Sequence, residues 1–170
     1  MMARAHPTMG LRPFLPADTP LLVEIFRASI EDLTADDYSQ AQQQAWASAA
    51  DDEEEFAARL ADQLTLIATL DGSPVGFASL KGTDYIDMLY VHPSVTGQGV
   101  GAALIDALEK LAGARGAKTL SVDASDNALD FFKKRGYAAK QRNSVPRHGE
   151  WLANTTMQKA LGQAAPGAPQ

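Results

Sequence analysis

Three glycines alternate with other residues in the run Gly97-Gln98-Gly99-Val100-Gly101. They follow a β-branched and aromatic stretch by a short turn, and they open an apolar stripe of helical spacing. Glycine there lets the backbone approach a ligand closely and aim successive N–H groups at it. A helix start adds partial positive charge, so the arrangement suits an anion, most naturally a pyrophosphate. A sharp strand-to-helix turn that needs glycine for its own geometry explains the same residues equally well. The spacing Gly97-x-Gly99-x-x-Ala102 also satisfies a dinucleotide fingerprint, with Asp123 where a ribose-binding acid belongs. That nucleotide-dependent oxidoreductase reading requires the first glycine directly after its strand, and residues 92–96 intervene. Asp123 then reads as a structural polar residue at a strand end.

Composition removes other chemistries. The 170 residues contain no cysteine, which excludes disulfides, thiolate metal sites and a cysteine nucleophile. His6, His92 and His148 are scattered without metal-ligand spacing, so no metal is expected. A net charge of −6 disfavours nucleic acid, whose phosphates need a basic surface. No apolar run approaches the ~20 residues of a membrane helix, and the first residues lack a signal-peptide core. A cytoplasmic protein with no membrane partner is the expectation. A single domain over 10–161, with 1–9 and 162–170 as flexible tails, fits the length and the Gly/Ala/Pro-rich end.

The elements that must carry the glycine loop follow from periodicity. Leu11, Pro13 and Leu15 alternate as a short edge strand. Asp18 can cap a helix whose inward positions are Leu21, Leu22, Ile25, Phe26, Ser29, Ile30 and Leu33. A second helix over 39–49 carries Trp46. The acids at 51–55 suit a third helix start, followed by Phe56, Leu60 and Leu64. The period then changes to two: strands over 65–70, 75–80 and 85–91 are joined by turns at Asp71-Gly72 and Lys81-Gly82. After the loop, Val100, Leu104, Ala107, Leu108 and Leu111 form a helix ending at Gly113. A strand over 119–122 must run parallel to 85–91, because a crossover helix separates them. Asn127 caps a short helix with Ala128, Phe131 and Phe132 inward and Gly136 at its end. Residues 137–142 and 151–157 make a final hairpin. The result is α/β: a mixed, mostly antiparallel central sheet with helices on both faces.

These residues resemble the GNAT superfamily of N-acetyltransferases. The resemblance rests on Leu89-Tyr90-Val91-His92-Pro93, on Gly97-Gln98-Gly99-Val100-Gly101, and on the helix from Ala102 to Leu111. A second stretch, Ala124-Ser125-Asp126-Asn127-Ala128 through Phe131-Phe132 to Gly136-Tyr137, is similar to that family's later cofactor region. The order of elements fits over nearly the whole chain. The resemblance implies acetyl-CoA as donor, with no metal, and direct transfer to an amine without a covalent enzyme intermediate. Leu89, Tyr90 and Val91 would meet the pantetheine arm and thioester. The amides of Gly97, Gln98, Gly99, Val100, Gly101 and Ala102 would hold the pyrophosphate. Asn127, Phe131, Phe132 and Lys134 would lie along the coenzyme. The family usually has Arg or Gln at the position of Thr96. Many members have a tyrosine at the position of Phe132 as general acid, and Phe132 cannot donate a proton.

An amine nucleophile must lose a proton before or during attack. Asp87 is the leading base, because strand alternation gives it the parity of Leu89 and Val91 and so the same cleft. Ser125 and Tyr38 are candidates for the missing acid; a helix-start hydrogen bond accounts for Ser125 as well. Tyr38 and Trp46 either line the acceptor pocket or simply pack. His148, in the turn Pro146-Arg147-His148-Gly149, either reaches the site or is solvated. The expected partner is a primary amine of a small molecule or peptide as acceptor, and the chain is expected to be a monomer or homodimer. The alternatives are a non-catalytic acyl-CoA-binding module and the nucleotide-dependent oxidoreductase above.

Overall fold

The computed structural model describes residues 8–162. The tails expected at 1–9 and 162–170 therefore lie largely outside the described residues. Residues 8 and 9 are a correction: the Thr8 N–H donates to the Asp71 carboxylate, and Met9 pairs with Leu70.

The strands are β1 (Met9–Pro13), β2 (Leu64–Leu70), β3 (Ser73–Lys81), β4 (Tyr85–Val91), β5 (Thr119–Ser125), β6 (Ala138–Arg147) and β7 (Glu150–Ala160). The helices are α1 (Thr19–Leu33), α2 (Gln40–Ala47), α3 (Glu53–Asp62), α4 (Val100–Ala114) and α5 (Leu129–Lys134). One seven-stranded sheet runs β1-β2-β3-β4-β5-β7-β6. Only β4 and β5 are parallel neighbours, as the intervening α4 requires. Pro13 sits on an edge strand, where its missing N–H costs no ladder bond.

Each face of the sheet buries a separate apolar layer. Leu22, Phe26 and Ile30 of α1, with Phe56 and Leu60 of α3, cover Ile67, Phe77 and Met88. On the opposite face Val100, Leu104, Ile105 and Leu108 of α4, with Phe132 of α5, cover Ala78, Leu80, Ile86, Leu120 and Val122. Burying a side chain of this size stabilises by about 1.5–3 kcal/mol, so these two layers hold the sheet between its helices.

Helix starts divide into those set by local capping and those set by longer-range partners. Ser39 caps α2 by accepting from the Gln42 N–H, and Asp52 caps α3 by accepting from the Glu55 N–H. Asp18 does not cap α1 with its side chain. Its carboxylate instead takes two guanidinium bonds from Arg12, at 2.9 and 2.8 Å, and the Leu15 N–H. Charge-assisted bonds of this kind outweigh a neutral amide cap. Asn127 does not cap α5 either; it lies inside the tight turn Asp126–Ala128, and Ala128 precedes the helix. Leu21 is 47% exposed, and Val23 takes the buried place. Helix α4 continues past Gly113 to Ala114, and Gly116, at φ +91°, supplies the left-handed residue after it.

One irregularity changes the orientation of a candidate residue. Ser79 pairs with Met88 and Leu80 with Ile86, so Asp87 is an extra residue in β4. Ile86, Leu89 and Val91 pack toward α4, whereas Met88 and Tyr90 pack toward α1 and α3. Asp87 bonds Arg59 and Gln63 at the α3 side. The parity expected from the sequence is therefore reversed: Asp87 does not share a face with Leu89 and Val91.

Candidate active site

Strands β4 and β5 pair only at Tyr85 with Ser121 and at Ile86 with Val122. Beyond that rung they diverge, and the β5-facing edge of Asp87 to Val91 has no strand partner. The His92 N–H donates to the Val75 carbonyl in the β3 ladder. Alternation along an antiparallel pair then turns the backbone groups of Leu89 and Val91 away from β3 and into the fork. Tyr90, one residue out of step, spends its backbone groups on β3.

The glycine loop lies at the end of β4. Gly97 and Gly99 have φ of +83° and +82°, a region that an L side chain rarely adopts. The N–H groups of Gly97, Gly99, Val100, Gly101 and Ala102 have no acceptor among the described residues. Gln98 is a correction, since its N–H already donates to the Val95 carbonyl. The Thr96 hydroxyl donates to the Pro93 carbonyl at 2.9 Å and closes the turn before the loop. Together the free amides and the start of α4 form a cradle for a multiply charged anion.

Two cavities open along the fork. The smaller, about 80 Å³, is lined by Asp87, Leu89, Ser125, Asn127 and Phe132 among others. The larger, about 220 Å³, lies on the α1–α3 side between Tyr38, Trp46, Tyr85, Tyr90, Asp123 and Arg147. Asp87, Tyr90, Trp46 and Ser125 line both. Phe131 packs its ring against Gly101, and Lys134 is exposed and borders neither cavity.

Asp87 is half-buried, and its Oδ2 accepts from Arg59 Nε at 2.9 Å and Gln63 Nε2 at 2.8 Å. Its Oδ1 has no hydrogen bond among the described residues. Asp123 is exposed on the opposite arm of the fork, and both its oxygens are used: Tyr85 donates to Oδ2 and Thr156 to Oδ1. Burial and that acidic partner push the Tyr85 phenol well above its usual range. Tyr90 packs edge-on against Phe26, with ring centroids 4.7 Å apart. Burial pushes its hydroxyl up to about 12, and Trp46 Nε1 donates to it at 3.0 Å.

The two proton-donor candidates differ. The buried Tyr38 hydroxyl donates to the Ala153 carbonyl at 2.6 Å and accepts from the Asp126 N–H at 2.9 Å. Burial raises its pKa, and its proton is already committed, so it serves as a brace that ties the α1–α2 turn to β7 and to the turn after β5. The Ser125 hydroxyl makes no helix-start bond and sits between the two cavities. Phe132, 2% exposed, closes the smaller cavity with its ring against Phe131 and Tyr137. His92 accepts from the Ser94 N–H and shapes the turn before the loop.

Sequence reasoning missed Arg59, Tyr85 and Arg147 as site residues and set Asp123 aside. Their signal is tertiary, because α3, β4, β5 and the β6–β7 turn meet only in the folded sheet. No helix among the described residues is long and apolar enough to cross a membrane.

The chain matches the family model of the acetyltransferase (GNAT) domain over residues 34–161. A solved GCN5-related N-acetyltransferase from Rhodopseudomonas palustris, also described as a class-II aminotransferase, is 70% identical. The similarity covers 95% of this chain and 99% of that one, with a TM-score of 0.89. The uncharacterized N-acetyltransferase YafP of Escherichia coli K12 is 34% identical over 147 residues, 86% of this chain and 93% of YafP. The PaiA N-acetyltransferase of Thermoplasma acidophilum, solved with coenzyme A, shares the fold at 20% identity and a TM-score of 0.75, over 90% and 99% of the two chains.

Proposed function

Because this chain belongs to the GNAT acetyltransferase family, we propose that it moves an acetyl group from acetyl-CoA directly to a primary amine of a small molecule or peptide. The observation that carries this reading is the fork between β4 and β5, which leads from Asp87 to the free amides of Gly97, Gly99, Val100, Gly101 and Ala102. In that fork the backbone of Leu89 and Val91 adds the pantetheine arm as a strand would, and the loop amides take the pyrophosphate. The coenzyme A held by the structurally similar PaiA supports the same choice of donor.

The larger cavity takes the amine. Its aromatic walls, Trp46, Tyr85 and Tyr90, suit an alkylammonium group, and Asp87, whose Oδ1 is unbonded among the described residues, lines it too. Asp87 accepts the proton that the ammonium must lose. The carbon–nitrogen bond then forms as the carbon–sulfur bond breaks. The Ser125 hydroxyl passes a proton to the departing sulfur and recovers one from the new amide nitrogen, so the protons balance. The Leu89 N–H polarises the thioester carbonyl.

Calorimetric titration with acetyl-CoA, with NAD as control, tests the donor. Micromolar acetyl-CoA binding without NAD binding, followed by acetylation within a panel of primary amines, is the expected result. Absence of acetyl-CoA binding overturns the reading.

A further inference from the structure

The larger cavity continues into a third, about 230 Å³, beneath the tip of the β6–β7 hairpin. Arg59, Arg147 and Ala49 line both, so the two spaces adjoin. The hairpin turn is a two-residue loop, His148 at φ +45° and Gly149 at φ +83°, between the paired residues Arg147 and Glu150. Positive φ at both central residues matches the right-handed twist of the strands and makes this a tight turn. The turn therefore sets Arg147 over the cavity with little freedom in its backbone.

Among the described arginines, Arg115 and Arg147 hold no carboxylate, and of these two only Arg147 lines the larger cavity. Arg12, Arg27, Arg59, Arg135 and Arg142 each hold a carboxylate. The Arg147 guanidinium makes no ion pair or hydrogen bond among the described residues, although the Arg147 backbone pairs with Glu150. Its neighbours in the third cavity are Arg59, His148 and Ser48, with Glu55 the single carboxylate. The carboxylates of the fork, Asp87 and Asp123, line the larger cavity and not this one. The acids and aromatic rings of the fork and the uncommitted guanidinium of Arg147 therefore line two adjoining spaces, with Arg147 bordering both.

We infer that the acceptor is a primary amine that also carries an anionic group, a carboxylate or a phosphate monoester, with its amine in the fork and its anion on Arg147. This rests on the fork being the active site. Arg59 already spends its charge on Asp87, so it contributes shape and residual donors, whereas Arg147 supplies the paired N–H fork that both anions accept. The occupant also joins the hairpin tip to the last turn of α3, since Arg147 and Arg59 belong to those two elements.

The test is steady-state acetylation of matched amines that differ in the anion. β-Alanine against β-alaninamide reads a carboxylate, and ethanolamine phosphate against ethanolamine reads a phosphate. Both pairs are run with the full chain and with Arg147→Gln, beside titration of each protein with acetyl-CoA. The anionic member of at least one pair is expected to have the higher kcat/KM. Arg147→Gln is expected to cut that preference about tenfold, through KM, with acetyl-CoA affinity retained. Equal rates within both pairs, no turnover of any member, or a preference that Arg147→Gln leaves intact overturns the anion site. With acetyl-CoA still bound, those outcomes leave the donor reading standing. Loss of acetyl-CoA binding by the unaltered chain removes both.

Discussion

Asp87 and Asp123 stand on opposite arms of the fork, each one residue past the last paired rung, Ile86 with Val122. They are not equivalent. Asp123 has a donor on both carboxylate oxygens, Tyr85 and Thr156, whereas Asp87 keeps Oδ1 free of partners among the described residues. Of these two carboxylates, the one on the arm with the β-bulge thus keeps an oxygen without a hydrogen bond among the described residues.

Replacing Asp87 separates base from scaffold. Asp87→Asn is expected to lower kcat by about a hundredfold, the scale of a lost general base. Its affinity for acetyl-CoA is expected to stay within about twofold, because the coenzyme contacts proposed here are backbone groups of other residues. Asp123→Asn is expected to cost kcat far less. Steady-state kinetics beside calorimetry separate the two, and an unchanged kcat in Asp87→Asn removes it as base.

Gly99 has open space around it and a positive φ, so two substitutions read two properties. Gly99→Ala is expected to cost about 1–2 kcal/mol of stability from backbone strain alone. Gly99→Glu is expected to abolish acetyl-CoA binding as well, by placing negative charge at the phosphate cradle. Denaturant titration and calorimetry measure these, and normal coenzyme affinity in Gly99→Glu ends the phosphate assignment.

Tyr38 and Ser125 are expected to respond in opposite ways. Tyr38→Phe strips a donor from the Ala153 carbonyl and an acceptor from the Asp126 N–H, which costs about 1–3 kcal/mol of stability. Ser125→Ala is expected to leave stability near that of the unaltered chain and to lower kcat. A Tyr38→Phe protein of full stability and collapsed kcat would reassign the proton donor.

Phe132→Tyr is expected to fold, to bind acetyl-CoA and to raise kcat, since the added hydroxyl enters the cavity that Phe132 closes beside Leu89 and Ser125. Phe132→Ala empties a fully buried site and is expected to cost about 3–5 kcal/mol. A large loss of kcat in the tyrosine variant, with the fold intact, would show that the ring only packs.

The Arg12–Asp18 pair makes stability depend on acid. The Arg12 hydrogen bonds hold the Asp18 carboxyl below its usual range in the folded chain. Its contribution is fully present above the pKa of an unfolded aspartate, about 3.9, and is lost as pH falls through the lower folded value. Asp18→Asn is therefore expected to flatten the decline of unfolding free energy below about pH 4. Parallel urea titrations across that range check it, and an identical slope in both proteins refutes it.

Much of the fold is legible because its signals are local. Alternation in β2, β3 and β4, the helical stripes of α1 and α4, the acidic start of α3, and the glycine loop each depend on residues a few positions apart. Chain order then dictates the one parallel pairing, since a crossover helix leaves no other direction for β5. Tertiary structure alone decided which way Asp87 points. A bulge arises from register between two strands, and one extra residue sends the side chain to the opposite face. For the same reason Asp18 bonds Arg12 rather than capping α1, the Tyr38 hydroxyl reaches Ala153 on a strand 115 residues away, and Arg147 meets the fork through the hairpin tip. A side chain's partners are set by what distant segments bring within hydrogen-bond reach, and that is a property of the packed sheet.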